Sequence, residues 1–389
     1  MKILQRYMGL SILQAVAFVL TALLALNGFM DLTGEVPQIG KDGYTIQDAL
    51  LYVLLLVPFH IYQSMPVAAL IGTIYAMAQF ASSSEFTIMR ASGMSTRLAA
   101  WMLFKVGFVL VVVTLVFGEL VAPRTAPMAE SVKLGGRGAA ISQGMKAGMW
   151  TKDIVRSEGI TGRVTGSRFF NVRTFKADGE MLDVRLYEFD TSLRLRSLIT
   201  AKRAVFTGNN TWRLEDVTEN LFSNTGGAQQ MLAGADGTFG QATSLVGTRK
   251  LASLELVSEI TPKIISVSAS APDRMSANEL AVYTRHLSEN KQETERFKIA
   301  FWKKLIDPLS IFVLMALALP FAYLHTRSGG VSLKIFIGIM IGVGFIVVNN
   351  LASHIGLLSS VPPFVTAIAP SLLFLALAVT ALMRVERHG

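Results

Sequence analysis

The sequence predicts an α+β membrane protein in which six transmembrane helices, arranged three and three, flank an inserted antiparallel β-jellyroll domain. Of its 389 residues, 51% are hydrophobic and only 16% are charged, whereas roughly 25% are charged in soluble domains. Apolar runs of the roughly 20 residues that a bilayer requires are confined to the two ends of the chain. The middle of the chain alternates apolar and polar residues with the period of a β-strand.

The apolar runs predict transmembrane helices at residues 9–30, 49–80, 99–122, 303–325, 333–355 and 361–383. The first run is longer than the apolar part of a cleaved signal peptide, so we interpret it as a retained signal anchor. The second run contains Pro58 and Pro66, which predict a kinked or strongly tilted helix.

Basic residues in the short loops predict the orientation of the chain. They fall on one side of the membrane: Lys2, Arg6, Arg90, Arg97, Arg327, Lys334, Arg384 and Arg387. The short loops on the other side carry mostly acidic residues or none. Because short cytoplasmic loops are enriched in lysine and arginine, we expect both termini in the cytoplasm and the central domain outside it.

The central insert is predicted to be a β domain. Segments at 167–174, 181–190, 194–206 and 211–217 alternate in polarity and are separated by Asp-Gly or Gly-Asn turns, which is typical of an antiparallel sandwich or jellyroll. Beyond Pro272, a capping-box pattern at Ser276 and Glu279 opens an amphipathic helix. We therefore divide the chain into residues 1–122 (helices one to three), 123–272 (β domain) and 273–389 (linker helix and helices four to six).

A short stretch between the second and third spans predicts a separate helix at residues 82–93. Ser82 followed by Glu85 is a capping-box pattern, and Gly93 suits the left-handed residue that ends a helix. Phe86 and Met89 give this helix a small apolar face. Such a helix favours a docking site for a soluble partner. The alternative is that Glu85 only closes the cap on Ser82.

The sequence contains none of the common catalytic motifs. It has no GxxxxGK[ST] loop for nucleotide phosphates, no GxSxG elbow and no HExxH pair. A Ser-x-x-Lys pattern at Ser288 and Lys291 lies in a charged, polar helix. The chain lacks cysteine, which excludes disulfides and thiolate metal sites. We therefore expect a chain that is not an enzyme, binds no cofactor or metal of its own and has no nucleic-acid partner.

The fifth span carries a polar cluster made of Asn349, Asn350, Ser353 and His354. Polar side chains at this depth face protein or a water-filled cavity, so the cluster either joins helices or lines a substrate path. Gly338 and Gly342 in the same span are spaced for close approach of another helix.

Other charged residues are predicted to lie near the membrane surfaces. Glu119 and Lys105 lie towards the two ends of the third span, where we expect their side chains to extend to the interface. A second group could meet anionic head groups or remain solvated: Lys41, Arg124, Lys133 and Arg137.

Motifs distributed over the whole chain resemble those of the inner-membrane permeases of lipopolysaccharide export, the LptF/LptG family, with LptG the nearer branch. They are Arg6-Tyr7, Met65-Pro66, Ser84-Glu85, Met89-x-Ala91-Ser92-Gly93, Gly118-Glu119, Trp212-Arg213-Leu214, Pro308-Leu309 and Pro362-Pro363. The resemblance implies three spans, a periplasmic β-jellyroll and three further spans in the bacterial inner membrane.

The resemblance also implies partners. It implies a heterodimer with a paralogous permease, seated on a cytoplasmic ATPase dimer that uses ATP and Mg²⁺. A periplasmic β-jellyroll protein would form a bridge towards the outer membrane, and a single-span regulatory subunit could join the complex. The ATPase would grip the segment that contains Ser84, Glu85, Phe86, Met89, Arg90 and Gly93, with Glu85 as its acidic contact.

The substrate implied by the resemblance is lipopolysaccharide, taken up between spans one and five. The expected path contains Phe29, Asp31, Lys41, Arg124, Lys133, Arg137, Phe345 and Asn349. Relatives can carry lysines at the outer end of the first span to meet substrate phosphates, but this chain has none between Gly28 and Glu35. Phosphate contact would therefore fall to Arg124, Lys133 or Arg137.

A rival hypothesis is an ATPase-coupled mechanotransmitting scaffold that moves no lipid through its own spans. Such a protein needs no cavity, so its helices should pack closely and its fifth-span polar cluster should be paired internally. A pocket that opens sideways to lipid would favour the transporter.

Overall fold

The computed structural model describes residues 2–135, 149–222, 246–323 and 331–388, apart from 42, 160, 176–178, 263, 266–270, 291 and 360. Six helical segments are long and apolar enough to cross a membrane, which confirms the predicted number. We call them spans one to six: Ile3–Gln38, Ile46–Ser82, Thr96–Lys133, Glu295–Ala322, Val331–Leu358 and Pro363–Arg384. Most extend beyond the predicted ends because polar residues continue the helices past the apolar runs. The predicted loop at Arg327 lies outside the described residues.

Spans one and two form a long helical hairpin. Helix α1 (Lys2–Glu35) and helix α2 (Ile46–Ser82) are joined by a short turn, and Thr45 and Asp48 form a capping box at the start of α2. A Cβ at Gly72 would lie 2.6 Å from the Cα of Val16. The absent side chain of this glycine therefore lets the two backbones touch.

Span three contains a change of helical register. Helix α3 (Glu85–Ala91) precedes helix α4 (Thr96–Leu115), a π-helical turn follows at Val116–Val121, and helix α5 (Ala122–Gly135) completes the segment. Such turns occur frequently at functional sites. Here the turn carries Glu119, whose Oε2 accepts a hydrogen bond of 2.9 Å from the backbone N–H of Ala277. This carboxylate therefore satisfies an orphan donor at a helix start, whereas its extension to the membrane interface stays a prediction.

The insert forms a six-stranded antiparallel sheet in which the described strands pair in sequence order. The strands are β1 (Met149–Glu158), β2 (Thr161–Phe175), β3 (Met181–Asp190), β4 (Leu195–Gly208), β5 (Thr211–Phe222) and β6 (Val246–Val257). The antiparallel fold class is confirmed. The connectivity of these strands is a meander of hairpins, whereas a jellyroll is built from two Greek keys.

The sheet curls so that its outer strands approach each other at one end. The guanidinium of Arg168 on β2 donates to the carbonyl of Val257 at 3.1 Å, and Ser258 donates to Asp153 on β1 at 2.7 Å. The apolar core lies inside the curl, where the indole of Trp212 donates to the carbonyl of Ile260 at 2.7 Å.

The segment after the sheet returns the chain to the membrane. Helix α6 (Ala277–Glu289) begins at the predicted capping box of Ser276 and Glu279, which is confirmed. Helices α7 (Glu295–Ile306) and α8 (Ser310–Ala318) make up most of span four, with a 3₁₀ turn between them at Pro308. Helix α9 (Val331–Leu358) and helix α10 (Pro363–His388) contain spans five and six.

Candidate functional site

The short helix α3 starts differently from the prediction. Ser82 is the last residue of α2, and Ser84 precedes α3 in a left-handed conformation with φ 59° and no side-chain cap. The hydroxyl of Ser83 donates to Glu85 Oε1 at 2.9 Å. The predicted capping box is therefore wrong, because α2 extends through Ser82 and leaves it no room to cap. Gly93 has φ +92° and confirms the predicted left-handed end.

Two faces of α3 have different surroundings. Phe86 and Met89 are buried in the helical bundle, so they hold α3 in place and are not available for docking. The exposed face includes Ile88, of which 63% is accessible, together with Arg90. Ile88 was not among the predicted site residues, although its spacing from Phe86 and Met89 places it on the opposite side of a helix.

Helix α3 contacts both span one and the end of span four. The hydroxyl of Tyr7 in span one donates to Glu85 Oε2 at 3.0 Å. The ring of Tyr323 packs edge-on against Phe86, with centroids 5.0 Å apart, and the guanidinium of Arg90 lies 5.0 Å from the centroid of the same ring. A displacement of α3 would therefore act directly on both elements.

A cavity of about 320 Å³ lies between spans one, two, four and five. Spans one and five both pack on span two, which leaves the cavity between them. Its wall is apolar at residues such as Leu23, Leu26, Val67 and Phe345, and polar or charged at Asn27, Asp273, Lys303, Lys304, Asp307, Asn349 and Asn350. The cavity can therefore contact an apolar chain and an anionic group at the same time.

The charged part of the cavity comes from the start of span four. Lys303 Nζ donates to Ser353 Oγ at 3.1 Å, and Asp307 and Asn349 line the same cavity. Lys304 is almost fully buried, and its Nζ has no hydrogen-bond partner among the described residues; it lies 4.3 Å from the centroid of the Tyr62 ring. These lysines were not among the predicted site residues. Their position at the start of an apolar run, close to Pro308, was the one feature of the sequence that could have indicated them.

The acidic residues at the C-terminal end of span one, Asp31 and Glu35, are already paired. Asp31 Oδ2 lies 2.6 Å from His60 Nε2. Glu35 Oε1 accepts from Lys133 Nζ at 2.5 Å, and the carboxylate of Glu35 lies near the hydroxyl of Tyr44. The pKa of Tyr44 is raised to about 12, mainly by burial and further by Glu35, so this hydroxyl stays protonated.

The remaining predicted path residues are not all brought together. Phe345 and Asn349 line the cavity, whereas Phe29 does not line it and is 68% exposed. Lys41 and Arg124 are exposed, and Arg137 lies outside the described residues. Lys133, which was predicted to contact phosphate, is engaged by Glu35.

Span five packs closely against span two. A Cβ added at Gly342 would lie 2.9 Å from Val67 Cγ1, and one at Gly338 would lie 2.9 Å from Ile74 Cδ1. The predicted close approach of a second helix is confirmed. Across residues 2–135, 149–222, 246–323 and 331–388, with the gaps given above, no cluster of histidine and acidic residues is suited to hold a metal ion.

Comparison with known proteins agrees with this arrangement. The family model described as lipopolysaccharide export system permease LptF/LptG matches residues 6–384. The lipopolysaccharide export system permease protein LptG of Escherichia coli K12 is 28% identical over 383 residues, which cover 98% of both chains. The LptG protein of Haemophilus influenzae is 28% identical over 375 residues, 96% of both chains.

Proposed function

Because the chain belongs to the LptF/LptG family of lipopolysaccharide export permeases, we propose that it is the permease subunit of an ABC transporter that extracts lipopolysaccharide from the inner membrane. The observation that carries this proposal is the cavity between spans one and five, which combines apolar walls with the cationic residues Lys303 and Lys304. Lipopolysaccharide presents both acyl chains and phosphates to such a site.

The energetics of extraction explain why an apolar cavity is needed. Each methylene removed from an apolar environment costs about 0.8 kcal/mol, so exposing several acyl chains to water would cost tens of kcal/mol. Transfer into a cavity lined by Leu23, Leu26 and Phe345 replaces lipid contacts by protein contacts. Uptake is then nearly neutral, and the step that needs energy is the closure of the cavity that expels the substrate.

The lysines of span four supply the phosphate contact in this proposal. Span one has no lysine at its outer end, and Lys133 is held by Glu35. Lys304 is buried, and its ammonium makes no hydrogen bond to the described residues, although the carboxylates of Asp273 and Asp307 line the same cavity. A buried donor without a hydrogen bond is costly. A phosphate within hydrogen-bond reach would satisfy it, and Lys303 could exchange Ser353 for the same ligand.

Helix α3 is the site where a cytoplasmic ATPase dimer would act. Its exposed face would occupy a groove of the ATPase, and Glu85 would offer a carboxylate to a cation there. Since α3 contacts span one through Tyr7 and the end of span four through Tyr323, the ATP cycle of the partner would move the walls of the cavity.

This function implies the remaining components. A paralogous permease would complete the cavity as a heterodimer, with both termini in the cytoplasm and the sheet in the periplasm. The sheet would pass lipopolysaccharide to a periplasmic β-jellyroll bridge, and exposed sheet edges favour strand addition of such a partner. A single-span regulatory subunit would fit beside the spans.

Site-specific photocrosslinking in cells tests the proposal. A probe at Ile346, which lines the cavity, should give an adduct with lipopolysaccharide that depends on ATP hydrolysis by the partner. A probe at Leu351 on the same helix is the matched control, because it is exposed and does not line the cavity. Equal adducts at both positions, or none in a complex that supports growth, would contradict the proposal and favour the mechanotransmitting scaffold.

A further inference from the structure

The sheet has an irregularity that runs across five of its strands. In a regular strand the inward-facing residues are two positions apart. In each strand from β2 to β6, one pair of neighbouring inward-facing residues is instead three positions apart, and these pairs lie side by side across the sheet. The core-facing pairs are Val172 and Phe175, Val184 and Met181, Ala201 and Ala204, Val217 and Leu214, and Leu251 and Leu254. Two successive rows of side chains therefore face away from the core, and the sheet is creased along them.

The backbone at the crease has an uncommon conformation. Asp183 on β3 and Asp216 on β5 have φ values of 50° and 53°, which non-glycine residues rarely adopt within strands. Both lie in the same cross-strand row as Lys202, because the pairs on either side are in register: Leu182 with Arg203 and Arg203 with Glu215, and Val184 with Ala201 and Ala201 with Val217. Strained backbone of this kind persists where the surrounding structure holds it, and it clusters at binding sites.

A groove of about 790 Å³ runs alongside the crease on the face that points away from the core, and it shares one of the two outward rows with the crease. Two rows of side chains line it: Asn171, Arg185, Thr200, Thr218 and Lys250 in one, and Arg173, Asp183, Lys202 and Asp216 in the other. The groove contains four cations and two carboxylates. One carboxylate, Asp216, already pairs with Lys202.

The uncompensated charge of the groove is positive. Arg185 is exposed and has no ion pair within the part of the chain that the structure describes. Lys250 is also exposed and is attracted to Asp216, which Lys202 already neutralises. Guanidinium, ammonium and hydroxyl donors on one surface are the groups that bind phosphates and carboxylates.

The lining also indicates what the groove does not bind. Protein interfaces have apolar cores rich in aromatic residues. This groove has no aromatic residue among its described lining residues, and its two apolar members, Val184 and Ala201, are buried beneath it. A polar, anionic ligand therefore fits it better than the apolar surface of a partner protein.

We propose that this groove binds the phosphorylated sugar part of the transported glycolipid. The proposal rests on the proposed function and adds a second binding site to it, on the sheet and separate from the membrane cavity. The acyl chains would occupy the cavity between the spans, and the charged sugars would meet Arg185, Lys250, Thr200 and Thr218.

Binding to the purified full-length chain tests this assignment. The probe is the core oligosaccharide of lipopolysaccharide, freed of its acyl chains but retaining its phosphates. The double variant Arg185→Gln/Lys250→Gln should bind it at least about tenfold more weakly, because two charge-assisted hydrogen bonds are lost. The double variant Arg163→Gln/Arg196→Gln removes the same charge from exposed positions outside the groove and should bind within about twofold of the parent.

Two further probes identify the ligand. The dephosphorylated oligosaccharide should bind weakly, and inorganic phosphate should compete only at much higher concentration. Equal affinity of the two double variants would overturn the proposal. Undiminished binding of the dephosphorylated oligosaccharide would also overturn it. Inorganic phosphate that competes at the same concentration as the oligosaccharide would overturn it as well, because it would indicate a site for free anions.

Photocrosslinking in cells separates this proposal from the proposed function. A probe at Thr218 should give a lipopolysaccharide adduct that is lost in Arg185→Gln/Lys250→Gln, while the adduct at Ile346 in the cavity remains. An adduct of Thr218 with a protein alone would overturn the proposal in favour of an acidic partner. Absence of the Ile346 adduct in the parent chain would instead contradict the proposed function itself.

Discussion

Replacement of Gly342 by alanine tests whether the contact between spans two and five sets the shape of the cavity. The added Cβ would lie 2.9 Å from Val67 Cγ1, and ordinary contacts begin near 3.4 Å. Either Val67, whose branched side chain is stiff, or the whole of span five must move. Phe345 and Asn349 follow on the same helix, so this movement changes the cavity wall.

The magnitude follows from two opposing effects. Alanine is favoured over glycine in a helix by about 0.5–1 kcal/mol, whereas overpacking of a tight contact costs about 1–3 kcal/mol. Gly344→Ala is a matched control on the same helix, because no atom lies within 4 Å of the added Cβ. Both variants receive the same helix-propensity gain. The difference between them therefore isolates the steric cost, and we expect Gly342→Ala to be the less stable by about 1–3 kcal/mol.

Two measurements on the same pair of variants check this expectation. In thermal unfolding of the detergent-purified chain, Gly342→Ala should melt a few degrees below Gly344→Ala, since 1 kcal/mol corresponds to roughly 2–4 °C in domains of 150–250 residues and to less in a longer chain. In cells, its ATP-dependent adduct at Ile346 should be reduced. Equal melting temperatures together with equal adduct yields would refute the role of this contact in positioning span five.

Three further variants test other parts of the structure. Tyr7→Phe removes the hydroxyl that donates to Glu85. The partner's ATP hydrolysis should persist, while the lipopolysaccharide adduct at the cavity falls about fivefold. Equal losses of ATP hydrolysis and of the adduct would contradict a role of this hydrogen bond in coupling α3 to span one. Lys303→Gln should lower the same adduct about tenfold with unchanged melting temperature, and an unchanged adduct would place phosphate contact elsewhere. Burial raises the pKa of Asp153 to about 6, so the folded chain binds a proton more tightly than the unfolded chain, and this residue's contribution to stability should rise as pH falls from 7 to 4. Asp153→Asn should remove that part of the pH dependence of melting, and parallel profiles would contradict it.

The sequence was sufficient to predict the large features because they depend on periodicity and length. Six apolar runs predicted six spans, and alternation in the insert predicted an antiparallel sheet. The start of helix α6 at Ser276 and the end of helix α3 at Gly93 were also predictable, since each depends on residues within one helical turn. These features are local, so no knowledge of distant contacts was needed.

The features that the sequence could not predict depend on residues far apart in the chain. The pattern at Ser82 and Glu85 satisfies the capping-box rule, yet α2 continues through Ser82, and Glu85 is bonded instead by Tyr7, 78 positions away. Likewise, nothing in the local sequence distinguishes Lys303 and Lys304, at the start of span four, from ordinary interfacial charges. Their place in the cavity is decided by spans one, two and five, which pack around them.

Glu119 shows how such a distant contact joins the two halves of the molecule. The π-helical turn directs its carboxylate to the first backbone N–H of α6, and Arg274 in the same connecting segment pairs with Glu130 of span three at 2.8 Å. Asp273, next to that arginine, lines the cavity beside Lys304. The segment that attaches the sheet to the bundle is therefore also part of the cavity wall. A tilt of the sheet must strain these contacts, so the position of the sheet and the shape of the cavity are physically coupled.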